Sequence, residues 1–319
     1  MVQTKFLFTN KLADGSSTRQ SETHVFNMAK LMSSVNRKGY HNVDNQGNAQ
    51  MYTIGIKLFG TKADALITAA PNAYYVRRAV KAWHDARVAM YKRAGISMKS
   101  LGYGRALRPY LDVNHENGTT VEIDTEATTG SDALLISPTA SGDEWTYSRG
   151  AVTVPVDGSE LNFGAPTDTF SFTILGDSVK EDGTTDDPDE SNTVTDQDQF
   201  VSVGMVAEWL DSFKQRSLPS ASESIDTDNA LLQLRSQQSS DKGEVLKLAQ
   251  DAQVEGRPWD ADDAQFKTAV YQGFVTANSA ESPYMVFQAP CGLFNLTTGN
   301  SAAAEVIYAE FEVLDISDM

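Results

Sequence analysis

Few residue patterns in this chain could do covalent chemistry. Ser178 follows Gly176 and Asp177 directly after an apolar run, Thr169–Leu175, and a serine hydroxyl so placed could be a nucleophile. It stays inert until a neighbouring imidazole takes its proton. The four imidazoles, His24, His41, His84 and His115, all precede it, and the EDGTTDD that follows is loop-like. Ser178 is therefore read as a residue of a strand-end turn. Metal chemistry fares no better. The one cysteine, Cys291, cannot form an internal disulfide or a multi-thiolate site, and no His-Glu-x-x-His is present. Asp112-x-Asn114-x-Glu116-Asn117-Gly118 clusters oxygen ligands in a turn, as does the DDPDE segment. Neither has calcium-loop spacing, because the glycine is displaced and no glutamate stands twelfth. At most a weak structural Ca²⁺ is compatible with them; solvated turns are the default, and no cofactor is expected. With 43 acids, coincidental carboxylate pairs are inevitable, so none is assigned to glycoside chemistry. Walker loops and dinucleotide fingerprints are absent.

Electrostatics is the stronger signal. Between Ala73 and Arg108 stand nine basic residues, Arg77, Arg78, Lys81, Arg87, Lys92, Arg93, Lys99, Arg105 and Arg108, against one acid, Asp85. That stretch carries +8 in a chain whose total is −17, so everything else sums to −25. An acidic exterior repels phosphate, and any nucleic-acid contact must come from this segment. Tyr74, Tyr75, Trp83, Tyr91 and Tyr103 are interleaved with the cations and could stack on bases, although some must be core. The alternative is an amphipathic helix whose basic polar face pairs with acids elsewhere.

The elements that must position these groups are mostly strands. Apolar and polar residues alternate, with many β-branched and aromatic types, at Met51–Phe59, Thr119–Asp124, Ala133–Ser137, Glu144–Pro155 and Thr169–Leu175. The pattern returns at Thr268–Val275, Tyr284–Ala289, Leu293–Thr297 and Ala304–Ile316. Asn117-Gly118, Ser141-Gly142, Asp157-Gly158 and Thr298-Gly299 offer turn residues. Helical periodicity appears in three places. Ala73–Ala94 aligns Val76, Val80, Trp83, Met90 and Ala94, with Gly95 placed to end it. Gly204–Gln215 aligns Val206, Trp209, Leu210 and Phe213, and Asn229–Gln253 holds two short amphipathic runs. Asp177–Gln199 has nine acids and only Lys180 against them, the composition of a solvated loop. The expected fold is mainly β, an antiparallel β-sandwich with helical insertions. One domain, 1–319, would carry a basic helical insertion at 70–108, an acidic loop at 176–199 and a second helical insertion at 203–262.

At 319 residues the chain is long enough for a sizeable core, and its 40% apolar content is that of a globular protein. The N-terminal apolar run is too short for a signal peptide and no segment approaches a membrane span, which reads as a chain made and folded inside a cell.

Two resemblances bear on function. Gly176-Asp177-Ser178 resembles the nucleophile block of the Gly-Asp-Ser lipases and esterases, but there the histidine follows the serine, and here it does not. The layout as a whole resembles the jelly-roll capsid proteins of small icosahedral viruses, particularly those with circular single-stranded DNA genomes. The residues that carry this are RRAVKAWHDARVAMYKRAG with YGRALRPYLD, the late SPYMVFQAPCGLFNLTT and the terminal AEVIYAEFEVLDI. The resemblance implies a viral jelly roll of eight strands in two sheets and a structural, non-catalytic subunit. Copies of it would self-assemble into an icosahedral shell around the genome. It also implies residence in the virion, host-receptor contact through outer loops, and genome or inter-subunit contact through Arg77, Arg78, Lys81, Arg87, Lys92, Arg93, Arg105 and Arg108. Trp83 and Val80 would anchor the helix on a sheet. One departure stands out: Met1–Lys30 holds only Lys5, Lys11, Arg19 and Lys30, not the basic arm of many such proteins. The rival expectation is an extracellular or phage-tail β-sandwich module that binds carbohydrate or a receptor.

Overall fold

The computed structural model describes residues 2–9, 21–60, 62–93, 95–122, 133–134, 145–152, 168–180, 185–186, 200–214, 269–278, 282–300 and 308–319. Two five-stranded sheets face each other. The first runs β13 (Tyr284–Pro290), β3 (Gln50–Phe59), β15 (Tyr308–Asp318), β1 (Lys5–Thr9), β6 (Ala133–Leu134). The second runs β12 (Val270–Asn278), β4 (Lys62–Ala69), β14 (Leu293–Asn300), β2 (Ser21–Asn27), β5 (Val121–Glu122). All pairings in them are antiparallel except β2 with β5.

Alternation builds the core between them. In β3 the inward set is Tyr52, Ile54, Ile56 and Leu58, all fully buried; in β15 Ala309, Phe311 and Val313 point in while Glu310 and Glu312 point out toward Lys5. Phe26 of the second sheet is the centre of an aromatic cluster. It stacks on Phe294 at 5.0 Å and reaches across to Phe311 at 4.7 Å and Phe8 at 5.4 Å on the first sheet. Helix α1 (Met28–Asn36) continues directly from β2, its N-terminus capped by Asn27, whose side-chain oxygen accepts from the Lys30 amide at 3.1 Å.

A third sheet is built from the middle of the chain, in the order β10 (Thr185–Asp186), β9 (Ser178–Lys180), β11 (Phe200–Gly204), β8 (Asp168–Thr173), β7 (Arg149–Val152), with β8 and β11 parallel. Helices α2 (Tyr74–Arg93) and α4 (Met205–Lys214) pack with it around a second core of Val76, Val80, Phe172, Ile174, Val203 and Val206. The same core includes Val43, Cys291 and Leu293, which seat this layer against the end of the sandwich. The strands read from sequence thus lie in the two sandwich sheets and in this third sheet. Helix α3 (Val113–Glu116) and a 3-10 segment, Met98–Arg105, connect them.

Three expectations change. Thr298-Gly299 is no turn: both residues lie inside β14, paired to Glu22 and Ser21 on one side and to Ala65 and Asp64 on the other. The acidic segment is not loop from its start, because Ser178–Lys180 and Thr185–Asp186 are strands. Of the described residues in Thr119–Asp124 and Glu144–Pro155, Val121–Glu122 and Arg149–Val152 are strand. The run Asn229–Gln253 and the turns at 141–142 and 157–158 lie outside the described residues. Among those described, no helix is long and apolar enough to cross a membrane.

Candidate electrostatic interface on helix α2

Helix α2 is well fixed at both ends. Before it, the Ala73 amide donates to the Pro71 carbonyl at 2.8 Å. After it, Gly95 takes φ +72°, and the Gly95 and Ile96 amides return to the Lys92 and Tyr91 carbonyls. This is the hydrogen-bond pattern of a Schellman cap, in which a residue without Cβ accepts the left-handed position. The buried side carries Val76, Ala79, Val80, His84 and Arg87. Trp83 anchors the helix from the same side: its Nε1–H donates to the Met205 carbonyl at 3.1 Å and its ring meets Phe172 edge-on at 5.8 Å. The expected anchoring by Val80 and Trp83 therefore holds, on the third sheet and α4.

The eight expected contact residues divide. Arg77, Arg78 and Lys92 are exposed, as is Lys99 just beyond the helix, and none of the four makes an ion pair with a described residue. Lys81 is half exposed; it pairs with Asp85 at 3.2 Å and donates to the Gln46 carbonyl. Arg105 is half-buried, and the Arg93 side chain lies outside the described set.

Arg87 and Arg108 correct the expectation, because both are buried, 5% and 7% exposed. The Arg87 guanidinium donates to the Arg105 carbonyl at 3.2 Å and lies over the Tyr91 ring. That of Arg108 stacks on Trp145 at 4.2 Å and donates to the Thr146 carbonyl at 3.3 Å. Burial, with Arg87 adding to it, pulls the Arg108 pKa below its ordinary value. Both cations fasten the chain after α2 to its surroundings and present no charge to a partner. Of the aromatic residues, Tyr74 is half exposed, resting edge-on against Tyr75 and Trp209; Trp83 is occupied internally.

The other chemical candidates are structural. Ser178 is 1% exposed; its hydroxyl donates to Glu208 Oε1 at 2.6 Å and accepts from the Gly204 amide at 3.2 Å, partners that tie β9 to the start of α4 and are not imidazoles. Asp112 caps α3 by accepting from the His115 amide at 2.9 Å. Among the described residues, no group of three or more His, Cys, Asp and Glu could hold a metal ion. Burial pushes the Cys291 thiol up to about 12, which leaves it unreactive.

One cluster has no forerunner in the sequence reading. The Glu122 carboxylate accepts from the Tyr147 hydroxyl at 2.7 Å and stands 3.3 Å from His115 Nε2 and 3.5 Å from Lys30 Nζ. Tyr147 also accepts from Asn27 Nδ2 at 3.0 Å and stacks on Tyr110. His115 Nδ1 accepts the Leu111 amide at 3.1 Å, which fixes Nε2 as the protonated nitrogen facing Glu122. Burial would raise the Glu122 pKa, but the His115 bond, Lys30 and the Tyr147 bond outweigh it and hold the carboxyl below its usual range. Burial and then the Glu122 charge push the Tyr147 phenol well above its own. Residues from 27 to 147 meet here with no spacing that could announce them. The cluster joins the end of β2 and α1 to α3, β5 and the segment before β7, with its hydrogen-bonding capacity turned inward.

What faces outward with charge to offer is therefore the set Arg77, Arg78, Lys92 and Lys99, with Lys81 beside it. In comparisons with family models, with curated proteins and with solved structures, nothing matches this chain.

Proposed function

We propose that this chain is a viral capsid subunit with a jelly-roll sandwich. The observation that carries the reading is the strand order. Counting the long sandwich strands along the chain as first to eighth (β1, β2, β3, β4, β12, β13, β14, β15), one sheet has the sequence sixth, third, eighth, first, and the other fifth, fourth, seventh, second. Consecutive strands therefore cross between sheets, except the fourth and fifth, which are neighbours in one sheet. This alternation between sheets supports the jelly-roll reading. The long excursion from β4 to β12 carries the third sheet, α2 and α4 as an insertion on this frame.

Among the described residues, no catalytic arrangement competes with a structural role. Ser178 is bonded to a carboxylate, and the ionisable cluster around Glu122 is saturated by its own members. In this reading Arg77, Arg78, Lys92 and Lys99 meet genomic phosphate or the acidic surface of a neighbouring copy. Either contact would relieve the repulsion expected between subunits of charge −17.

Sedimentation velocity and negative-stain microscopy of the purified full chain test this. Closed particles are expected, favoured by added salt, because screening shortens repulsion to about 10 Å at 0.1 M. A monomer under every salt and pH condition overturns the proposal.

A further inference from the structure

Resting on that reading, we propose that the β12–β13 edge of the sandwich is a contact between copies of this chain. β12 ends one sheet and β13 ends the other, and among the described residues neither has a strand on its outer side. The two end strands lie together, with Met285 seated over Gly273 so closely that a Cβ there would sit 2.2 Å from its sulfur. An end strand leaves alternate backbone N–H and C=O groups pointing outward, a template for another strand, and proteins usually guard such edges with charge.

Here the guard is missing. From Thr268 to Ala304, 37 residues, the only charged side chain is Glu281, in a chain that is 22% charged overall. Both end strands fall in that stretch. The charges nearest in register are on the inner neighbours, Lys57 opposite Tyr284, Asp64 opposite Thr276 and Lys62 opposite Asn278. In place of charge the two strands carry Tyr271, Phe274, Tyr284 and Val286, each 49–64% exposed; because Val275 and Phe287 point into the core, Phe274 flanks the edge on the outer face of one sheet and Tyr284 and Val286 flank it on the outer face of the other.

The occupant follows from electrostatics. Two copies of a chain at −17 approach with least repulsion where neither bears charge, and this edge is such a surface. Its size fits a contact that works in concert with others. At roughly 150–250 Å² per aromatic side chain, half-exposed Tyr271, Phe274 and Tyr284 offer on the order of 300 Å² per copy. Two such faces fall short of the ~1,200–2,000 Å² of a self-sufficient dimer. A shell closed by many repeated contacts does not need each to stand alone.

The test is hydrogen exchange of the full chain, assembled against dispersed, read at Val270–Asn278 and Tyr284–Pro290, together with the variants Phe274→Lys and Val286→Lys. Both positions face solvent, so thermal unfolding should be unchanged. We expect at least tenfold slower exchange in the two strands on assembly, and at least a tenfold higher protein concentration for the variants to assemble. Wild-type particles with unprotected β12 and β13, or folded variants that assemble at the wild-type concentration, overturn this contact and leave the shell reading standing. A wild-type chain that never assembles removes both.

Discussion

Replacing Glu122 by glutamine keeps the shape of the buried cluster and removes its charge. The carboxylate is 17% exposed, Lys30 10% and His115 1%, so little water is available to compensate. In Glu122→Gln the amide oxygen can take the place of Oε1, accepting from Tyr147 with Lys30 beside it, but the new NH₂ then faces the His115 Nε2–H, a donor against a donor. Loss of one partner from a buried ion pair costs about 3–5 kcal/mol, and a hydrogen bond to a charged group contributes about 1.5–3 kcal/mol. Because some exposure remains, the expected loss is about 3 kcal/mol at pH 7, measured by urea unfolding followed by tryptophan fluorescence. The pH dependence has a definite sign. The folded carboxyl titrates below the ordinary glutamate value of 4.5, so its contribution is complete above that value and disappears as pH falls through the lower folded pKa. The gap between wild type and variant should therefore be flat from pH 7 to about 5 and narrow below 4.5. A loss under about 1 kcal/mol at pH 7, or a gap that does not narrow in acid, would refute the account of the cluster.

Two further outcomes follow from the same fold. Gly47 has φ +90° and a Cβ added there would lie 2.6 Å from the His84 ring, so Gly47→Ala should lose about 1–3 kcal/mol in thermal unfolding, through strain and through a displaced helix α2. The double variant Arg77→Glu/Arg78→Glu should unfold within about 0.5 kcal/mol of wild type, since both side chains are exposed and make no ion pair with a described residue. Its binding to a single-stranded oligonucleotide, measured by fluorescence anisotropy across a salt series, should weaken with a slope shallower by about one to two.

The strands that could be read from sequence are those whose own residues declare a face. Met51–Phe59, Tyr284–Ala289 and Ala304–Ile316 alternate large apolar with polar residues, and each lies on a strand within a few residues at either end. β1 is five residues long, and β4 reads KADALITA, poor in strand-forming types. Ala65 and Ala69 are buried because aromatic residues of other strands fill the space above them, information that resides elsewhere in the chain. Division into a sandwich and a third sheet was equally hidden, because alternation marks a strand without naming its partners. In the basic helix a usable signal existed. Val76, Val80 and Trp83 continue at helical spacing to Arg87 and Met90, so Arg87 falls on the apolar stripe and its burial could have been expected. Arg108 has no such mark; Trp145, on which it stacks, is 37 residues away.

The wiring of the sandwich also sets the order in which the fold can come into existence. β1 pairs with β15, Lys5 opposite Glu312, and β2 pairs with β14, Thr23 opposite Thr297. During synthesis, the opening strands must wait with unpaired edges until nearly three hundred residues more have left the ribosome. Contacts this distant in sequence close slowly and only after the loop entropy has been overcome. A nascent chain therefore cannot complete either sheet until its last strands have emerged, and partly paired forms with open strand edges precede the finished sandwich.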